Sequence, residues 1–312
     1  MKKLIALLLS LTMVVSMTAC GSSEGSAAAS SKAASEQQST TAAETAASGA
    51  ESAAIPGLED GVFTVAMECA YAPYNWSQTD DSNGAVPIKD SNEYANGYDI
   101  MIAKKICEAN GWQLEVIRSD WDSLVPAVQT GTIDAAIAGQ SMTAERAEQV
   151  DFAGPYFYAT IVCVTKSDSK YADAKSIADL AGGSCTAQIA TIWYDKCLPQ
   201  IDNANIQTAS ETAPAMLMAL ESNQVDYICT DMPTAQGAVA AYPDMKILDF
   251  SGTDGDFQFT DEERAENVNI GISVKKGNTA LVDAINGALE GMTADDFNDI
   301  MAEAIAIQPV GE

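Results

Sequence analysis

A run of hydroxyl, acidic and basic residues lies near the middle of the chain, with the sequence S-M-T-A-E-R at residues 141–146. This spacing is typical of the start of a helix, where unpaired N–H groups and the positive end of the helix dipole attract an anion. The guanidinium of Arg146 would add two parallel donors that fit a carboxylate. Spacing alone leaves a second interpretation open, in which a hydroxyl only caps the helix and Arg146 pairs with Glu145 or Glu148 on a solvated face.

A candidate partner of opposite charge follows a predicted strand later in the chain. Residues 224–229 are predicted to form a strand, and Asp231 stands just beyond its carboxyl end. Ligands of open α/β sheets bind at that edge, so Asp231 is well placed to hold an ammonium group. The alternative is that Asp231 caps a helix that begins near Pro233.

The elements that would position these charges are those of an α/β fold. Apolar residues at Leu124, Val125 and Val128, followed by Gly131, predict a short amphipathic helix. The nearly continuous apolar run at 133–138 is typical of a strand that is buried on both faces of a parallel sheet. Such a strand must be covered by helices on both sides.

Composition excludes several classes of function. The chain carries 44 acidic and 16 basic residues and a formal net charge of −28, so nucleic acid and anionic lipid headgroups are not expected partners. It has no histidine and no C-x-x-C spacing, which excludes the usual zinc sites and any Ser-His or Cys-His nucleophilic centre. No metal or cofactor is expected, and we expect a monomer.

The first 55 residues predict export and anchoring. Lys2 and Lys3 precede an apolar core, so residues 1–19 are interpreted as a signal peptide. The run M-T-A-C that ends at Cys20 resembles a lipobox, which implies that Cys20 carries a lipid on the outer face of the cell membrane. The alternative is an ordinary secretory signal that is cleaved after Ala19. Residues 20–55, rich in Ser, Ala and Glu, predict a flexible tether that spans roughly 30–35 Å.

Six further cysteines follow Cys20, and an exported protein could pair them in disulfides. They occur mostly in apolar strand-like or helical segments, where cysteine behaves as a small hydrophobe. We therefore predict buried free thiols at these six positions, which are Cys69, Cys107, Cys163, Cys185, Cys197 and Cys229.

Four motifs in order resemble the bacterial extracellular solute-binding proteins of family 3. They are A-Y-A-P-Y-N-W at 70–76, N-G-Y-D-I at 96–100, the stretch at 121–156, and D-M-P-T-A at 231–235. The resemblance runs from Leu58 to about Ala306. It implies an α/β fold of the periplasmic-binding-protein type, in which two lobes are joined by two hinge crossings around a central ligand cleft. The first lobe would comprise residues 56–157 and 267–312, and the second residues 158–266.

The resemblance also implies a function and a set of site residues. Such proteins are the amino-acid-binding components of ABC importers, which close around the ligand and deliver it to the permease subunits in the membrane. Arg146, Ser141, Thr191 and Ile192 would hold the ligand's carboxylate, while Asp231 and the Gly139 carbonyl would hold its ammonium. Tyr71 and Trp121 would flank the side chain, and Glu68 would contact its far end. Two positions depart from the family pattern: Met101 replaces a usual acid, and Ala190 replaces a usual glycine.

The residues leave open which ligand is bound and whether chemistry follows. A carboxylate at Glu68 would favour a polar side chain such as that of Lys, Arg or Gln. A few members of this fold resemble exported cyclohexadienyl or arogenate dehydratases, so the alternative function is an enzyme. Without histidine, Glu68 or Asp231 would have to donate the proton.

Overall fold

A computed structural model of the chain describes residues 55–309, all of which fall in one compact unit, Glu51–Glu312. The predicted signal peptide, Cys20 and residues 20–54 of the tether lie outside the described residues. No helix between residues 55 and 309 combines the length and the apolar character needed to cross a lipid bilayer.

The described residues alternate between strands and helices. The strands, in chain order, are β1 Val62–Met67, β2 Ala70–Tyr71, β3 Asn75–Gln78, β4 Val86–Pro87, β5 Tyr94–Asn96, β6 Gln113–Arg118, β7 Ala135–Ala136, β8 Val150–Tyr158, β9 Ile161–Lys166, β10 Ser184–Thr186, β11 Asn205–Ile206, β12 Tyr227–Asp231, β13 Met245–Leu248 and β14 Asn269–Lys275. The α-helices are α1 Tyr98–Asn110, α2 Leu124–Thr130, α3 Ala144–Ala147, α4 Ala213–Glu221, α5 Met232–Ala241, α6 Asp261–Val268, α7 Thr279–Leu289 and α8 Ala294–Ile307.

The first lobe is built on a five-stranded sheet with the order β6-β1-β7-β14-β8. Strands β6, β1 and β7 run parallel, and β14 is antiparallel to both of its neighbours. Residues 133–138 are largely buried as predicted, but only Ala135–Ala136 pair as a strand. The strand is short because Asp134 bonds the backbone N–H of Thr64 at 2.8 Å and because Gly139 turns the chain with a φ of +64°.

The second lobe is built on another five-stranded sheet, with the order β11-β10-β12-β9-β13. Strands β10 and β12 run parallel, and β9 is antiparallel to β12. Helices α4 and α5 cover this sheet. Because α5 begins directly after β12, the last residue of that strand, Asp231, lies at the carboxyl edge of the sheet.

The chain passes between the two sheets twice. The first passage, from Tyr158 of β8 to Ile161 of β9, is very short, and the second runs from Leu248 of β13 through α6 to Asn269 of β14. The fold is therefore two-lobed, as the resemblance implies, with two crossings. The exact lobe boundaries, 56–157 with 267–312 and 158–266, remain a prediction.

The polar, turn-rich composition of residues 78–96 predicts a surface hairpin or loop. The structure confirms the hairpin, because β4 and β5 pair antiparallel within a small sheet of the order β2-β3-β5-β4. Two other segments differ from the sequence-based expectations. The acidic composition of residues 254–266 predicts a loop, but α6 begins within them at Asp261, where Thr260 and Glu263 form a reciprocal capping box. A helix is also predicted to begin at Thr191, but the structure has a single π-helical turn instead, Trp193–Cys197.

The predicted burial of the cysteines is confirmed. All six of the thiols at Cys69, Cys107, Cys163, Cys185, Cys197 and Cys229 are free and buried. Cys163 and Cys229 face each other across β9 and β12, in the interior of the second lobe. These side chains fill space in the core, as small hydrophobes do.

Candidate functional site

Arg146 joins the two lobes through its guanidinium. Nη1 donates to the carbonyl of Ser141 at 2.9 Å, and Nη2 donates to the carbonyl of Ala190 in the second lobe at 3.0 Å. The guanidinium carbon lies 5.3 Å from the ring centroid of Trp121, which places the cation over the aromatic face. Burial lowers the pKa of Arg146 to about 10, so the group remains charged at neutral pH. A guanidinium has five N–H donors, and those of Arg146 that do not take part in these two bonds can bind an anion.

The helix expected to follow Ser141 is only one turn long. Helix α3 spans Ala144–Ala147 and is capped by Thr143, whose side chain accepts from the N–H of Arg146 at 3.3 Å. The N–H of Ala144 already donates to the carboxylate of Glu266 at 3.1 Å. This helix start is therefore occupied by a carboxylate of the chain itself, and the hydroxyl of Ser141 donates to the carbonyl of Asn267 at 3.1 Å. The guanidinium, not the helix dipole, is the main attraction for an anion here.

Thr191 and Ile192 lie opposite Arg146, on the second lobe. The Thr191 hydroxyl donates to the carbonyl of Gln188 at 2.7 Å. Ala190 has a φ of +54°, a left-handed conformation that favours glycine. The carbonyl of Ala190 points to Arg146, so this strained residue contributes to the contact between the lobes.

Asp231 is buried and has a partner on each carboxylate oxygen. Oδ1 accepts from the N–H of Thr234 at 2.8 Å, so Asp231 caps α5, and Oδ2 accepts from the hydroxyl of Tyr71 at 2.5 Å. The second bond crosses from the first lobe. Burial raises the pKa of Asp231 above its usual value, although the two donors oppose that shift.

Tyr71 packs closely against the first lobe. Its ring stacks on Tyr74 at a centroid distance of 4.9 Å. A Cβ atom at Gly139 would lie 2.8 Å from a ring carbon of Tyr71, so only glycine fits at that position. The N–H of Gly139 donates to the hydroxyl of Tyr156 at 2.9 Å.

Glu68 is a second buried acid at the boundary between the lobes. Its Oε1 accepts from the amide of Gln188 at 3.1 Å, whereas Oε2 is buried without a hydrogen-bond partner among the described residues. Burial raises the pKa of Glu68 to about 7, and the carboxylates of Asp120 and Asp99 act in the same direction. Sequence reasoning missed Gln188, because nothing near it in the chain indicates a role.

A cleft of about 670 Å³ opens between the lobes. Four of the predicted residues line it, namely Trp121, Arg146, Thr191 and Ile192. The other five are buried beside the boundary and are not part of this lining: Glu68, Tyr71, Gly139, Ser141 and Asp231. Acidic side chains also line the cleft, namely Asp122, Glu145, Asp195, Glu262, Glu263 and Glu266.

Comparisons with known proteins agree with this architecture. A family model described as bacterial extracellular solute-binding proteins, family 3, matches residues 63–304. A probable histidine-binding protein of Neisseria gonorrhoeae is 27% identical over 259 residues, which are 82% of this chain and 88% of that protein.

Two solved structures of ancestral proteins are also similar. An ancestral arginine-binding protein bound to arginine is 29% identical, with a TM-score of 0.62 over 78% of this chain and 97% of that one. An ancestral amino acid-binding protein, a precursor of cyclohexadienyl dehydratase, is 24% identical, with a TM-score of 0.63 over 80% of this chain and 97% of that one. The second likeness shows the fold alone.

The family match extends over most of the chain, from β1 into α8. The two-lobed α/β fold and the cleft between the lobes are consistent with that match. The chain therefore belongs to the bacterial extracellular solute-binding proteins, family 3.

Proposed function

We propose that this chain captures an amino acid outside the cytoplasm and delivers it to an ABC importer. The observation that carries the proposal is a pair of opposite charges at the lobe boundary. Arg146 of the first lobe bonds the second lobe at Ala190, and Asp231 of the second lobe bonds the first at Tyr71. An amino acid carries a carboxylate and an ammonium, so one ligand could engage both residues.

Each end of the ligand has a proposed set of partners. Arg146, Ser141, Thr191 and Ile192 hold the carboxylate, and Asp231 with the Gly139 carbonyl holds the ammonium. The ammonium takes the place of the Tyr71 hydroxyl on Asp231. A ligand held by both lobes binds the closed form better than an open one, and this difference in affinity shifts the population toward closure.

The side chain of the ligand is proposed to be cationic or at least polar. Glu68 offers a buried carboxylate oxygen with no partner among the described residues. An unsatisfied buried acceptor costs free energy, which a guanidinium, an ammonium or an imidazolium would recover. Tyr71 and Trp121 would flank the apolar part of that side chain. The names of the histidine- and arginine-binding relatives support this class.

The location and the partners follow from the same proposal. Cys20 carries a lipid anchor, and residues 20–55 tether the folded part to the outer face of the membrane. The permease subunits of the importer receive the ligand there. No cofactor or metal takes part, and the protein acts as a monomer.

A panel of the twenty amino acids in a thermal-shift assay tests the proposal. A ligand at a hundred times its dissociation constant stabilises the folded protein by roughly 2.7 kcal/mol, which is about 5–10 °C in Tm for a chain of this size. Arg146→Ala should abolish that shift. Lys246→Ala is the matched control, because Lys246 is half-exposed and pairs, among residues 55–309, only with Asp173 at 3.2 Å. An unchanged affinity in Arg146→Ala would refute the site.

One observation favours a second candidate function. Glu68 is a buried acid whose pKa is raised to about 7, which suits a proton donor at neutral pH. We therefore keep a dehydratase that acts on arogenate or prephenate as the alternative. Incubation with either compound, followed by product analysis, separates the two functions. A binding protein returns the compound unchanged.

A further inference from the structure

Asp99 is a fully buried acid in the first turn of α1, outside the lining of the cleft. Its Oδ1 accepts from the Tyr156 hydroxyl at 2.7 Å, and its Oδ2 accepts from the amide nitrogen of Asn75 at 2.8 Å. Both partners are completely or almost completely buried. A buried carboxyl that accepts two directed hydrogen bonds has a single preferred geometry, so Asp99 fixes the orientation of both side chains.

Each of these partners accepts a hydrogen bond from one buried backbone amide of a neighbouring loop. The Tyr156 hydroxyl accepts from the N–H of Gly139 at 2.9 Å. The side-chain oxygen of Asn75, Oδ1, accepts from the N–H of Cys69 at 2.8 Å. One carboxylate is thus connected, through a phenol on one side and an amide on the other, to two loops that are 70 residues apart in the sequence.

Both of the amides belong to residues with a left-handed backbone. Gly139 has a φ of +64°, and Cys69 has a φ of +54° although it is not a glycine. Glycine adopts this conformation without steric cost, whereas at Cys69 it persists only where surrounding contacts hold it. Cys69 lies between Glu68 and Tyr71 in the chain, and Gly139 lies two residues before Ser141. The backbone turns at these two residues therefore set the directions of Glu68, Tyr71 and Ser141.

We propose that Asp99 is a positioning residue that holds the two ligand-contacting loops of the first lobe in one arrangement. It touches no ligand and acts through Tyr156 and Asn75. The expected effect of Asp99 on ligand affinity rests on the proposed function. Its expected effect on the Gly139 and Cys69 amides does not, because their hydrogen bonds form in the protein without ligand.

Two variants separate the branches of the network. Tyr156→Phe keeps the ring but removes the acceptor for Gly139, while leaving Asn75 on Asp99. Asp99→Asn replaces one carboxylate oxygen by an NH₂ group, which cannot accept a hydrogen bond. One of the two bonds, from the Tyr156 hydroxyl or from the Asn75 amide, is therefore lost. Tyr227→Phe is the matched control, because that buried hydroxyl donates to the carbonyl of Leu180 at 3.1 Å, away from both loops.

The first measurement is amide hydrogen exchange of Gly139 and Cys69 by NMR, without added ligand. In Tyr156→Phe we expect at least tenfold faster exchange at Gly139 and an unchanged rate at Cys69. In Asp99→Asn we expect both amides to exchange faster. In Tyr227→Phe neither rate should change. Unchanged rates at both amides in folded Tyr156→Phe, or equal acceleration throughout the first lobe, would overturn the proposal.

The second measurement is calorimetric affinity for L-arginine. We expect Tyr156→Phe to bind at least tenfold more weakly than the wild type, and Tyr227→Phe to bind equally well. If the wild type responds to none of the twenty amino acids in the thermal-shift panel while the exchange rates change as expected, the positioning role stands and the proposed function fails. If the wild type binds and Tyr156→Phe matches it, the positioning role is wrong. Should Asp99→Asn fail to fold, Tyr156→Phe decides alone.

Discussion

The pH dependence of arginine binding provides a direct test of the proposed role of Glu68. The pKa of this carboxyl is raised to about 7, mainly by burial. A guanidinium binds the ionised carboxylate, so arginine must displace a proton from Glu68 at any pH well below 7. Affinity should therefore be highest above pH 7 and fall as the pH is lowered.

The size of the effect follows from the titration of one group. At pH 5, two units below the pKa, the protonated form is favoured by roughly 100-fold, which corresponds to about 2.7 kcal/mol of binding free energy. Asp231 also has a raised pKa and would add its own pH dependence through the ammonium. That contribution is common to all amino acids, so a ratio of two affinities removes it.

The assay compares L-arginine with L-glutamine by calorimetry at pH 5 and pH 8. Glutamine presents the same carboxylate and ammonium but has a neutral side chain, which a protonated Glu68 can still bond. We expect the ratio of the two dissociation constants to change by roughly 100-fold between the two pH values. In Glu68→Gln the ratio should be nearly independent of pH. Glu145→Gln is the matched control, because that glutamate lines the cleft and is exposed, whereas Glu68 is buried.

Two results would refute this reasoning. One is a Glu68→Gln variant that binds arginine as tightly as the wild type at pH 8. The other is a ratio in the wild type that does not change with pH, which would mean that the Glu68 carboxyl does not meet the ligand's side chain.

Two further predictions concern the protein without ligand. The pKa of Glu68 rises from 4.5 to about 7 on folding, so the folded state binds more protons than the unfolded state between these values, and stability is lost as the pH rises through 7. Urea unfolding at pH 5 and pH 8 should show that the free energy of unfolding falls by about 2–3 kcal/mol less in Glu68→Gln than in the wild type. An equal fall in the two proteins would contradict the burial of the charge. Ala190→Gly should stabilise the protein by about 1 kcal/mol, because relief of a left-handed alanine exceeds the added entropy of an unfolded glycine. Thermal unfolding should then show an increase of about 2–4 °C in Tm, and a decrease would mean that Ala190 is not strained.

The fold was predictable where apolar periodicity or a motif marked it. Apolar residues that recur on one face predict a helix over residues 213–221, and α4 has these bounds, Ala213–Glu221, with Thr212 as its cap. Helix α6 was missed because its residues are mostly charged, so no apolar stripe indicates it. The capping box at Thr260 and the bond from Arg264 to the Phe257 carbonyl stabilise it instead. Such local polar contacts do not appear in a hydrophobic pattern.

For the site, the sequence suggested the charged residues but not their partners. Positions after predicted strands made Arg146 and Asp231 candidates, the family resemblance supplied their ligand roles, and those roles remain predictions. The bonds that the two residues make, to Ala190 and to Tyr71, depend on how two lobes meet, and no local sequence pattern reports that. The same holds for Glu68 and Gln188, which are 120 residues apart in the chain.

The burial of the six thiols has a practical consequence for measuring lobe movement. Thiol-reactive dyes reach exposed cysteines and leave buried ones unmodified. In a variant that lacks Cys20, one new surface cysteine on each lobe would therefore carry a donor and an acceptor fluorophore without removal of the native thiols. Energy transfer between the dyes would then report closure directly, and the same labelled protein could serve as an optical sensor for its ligand.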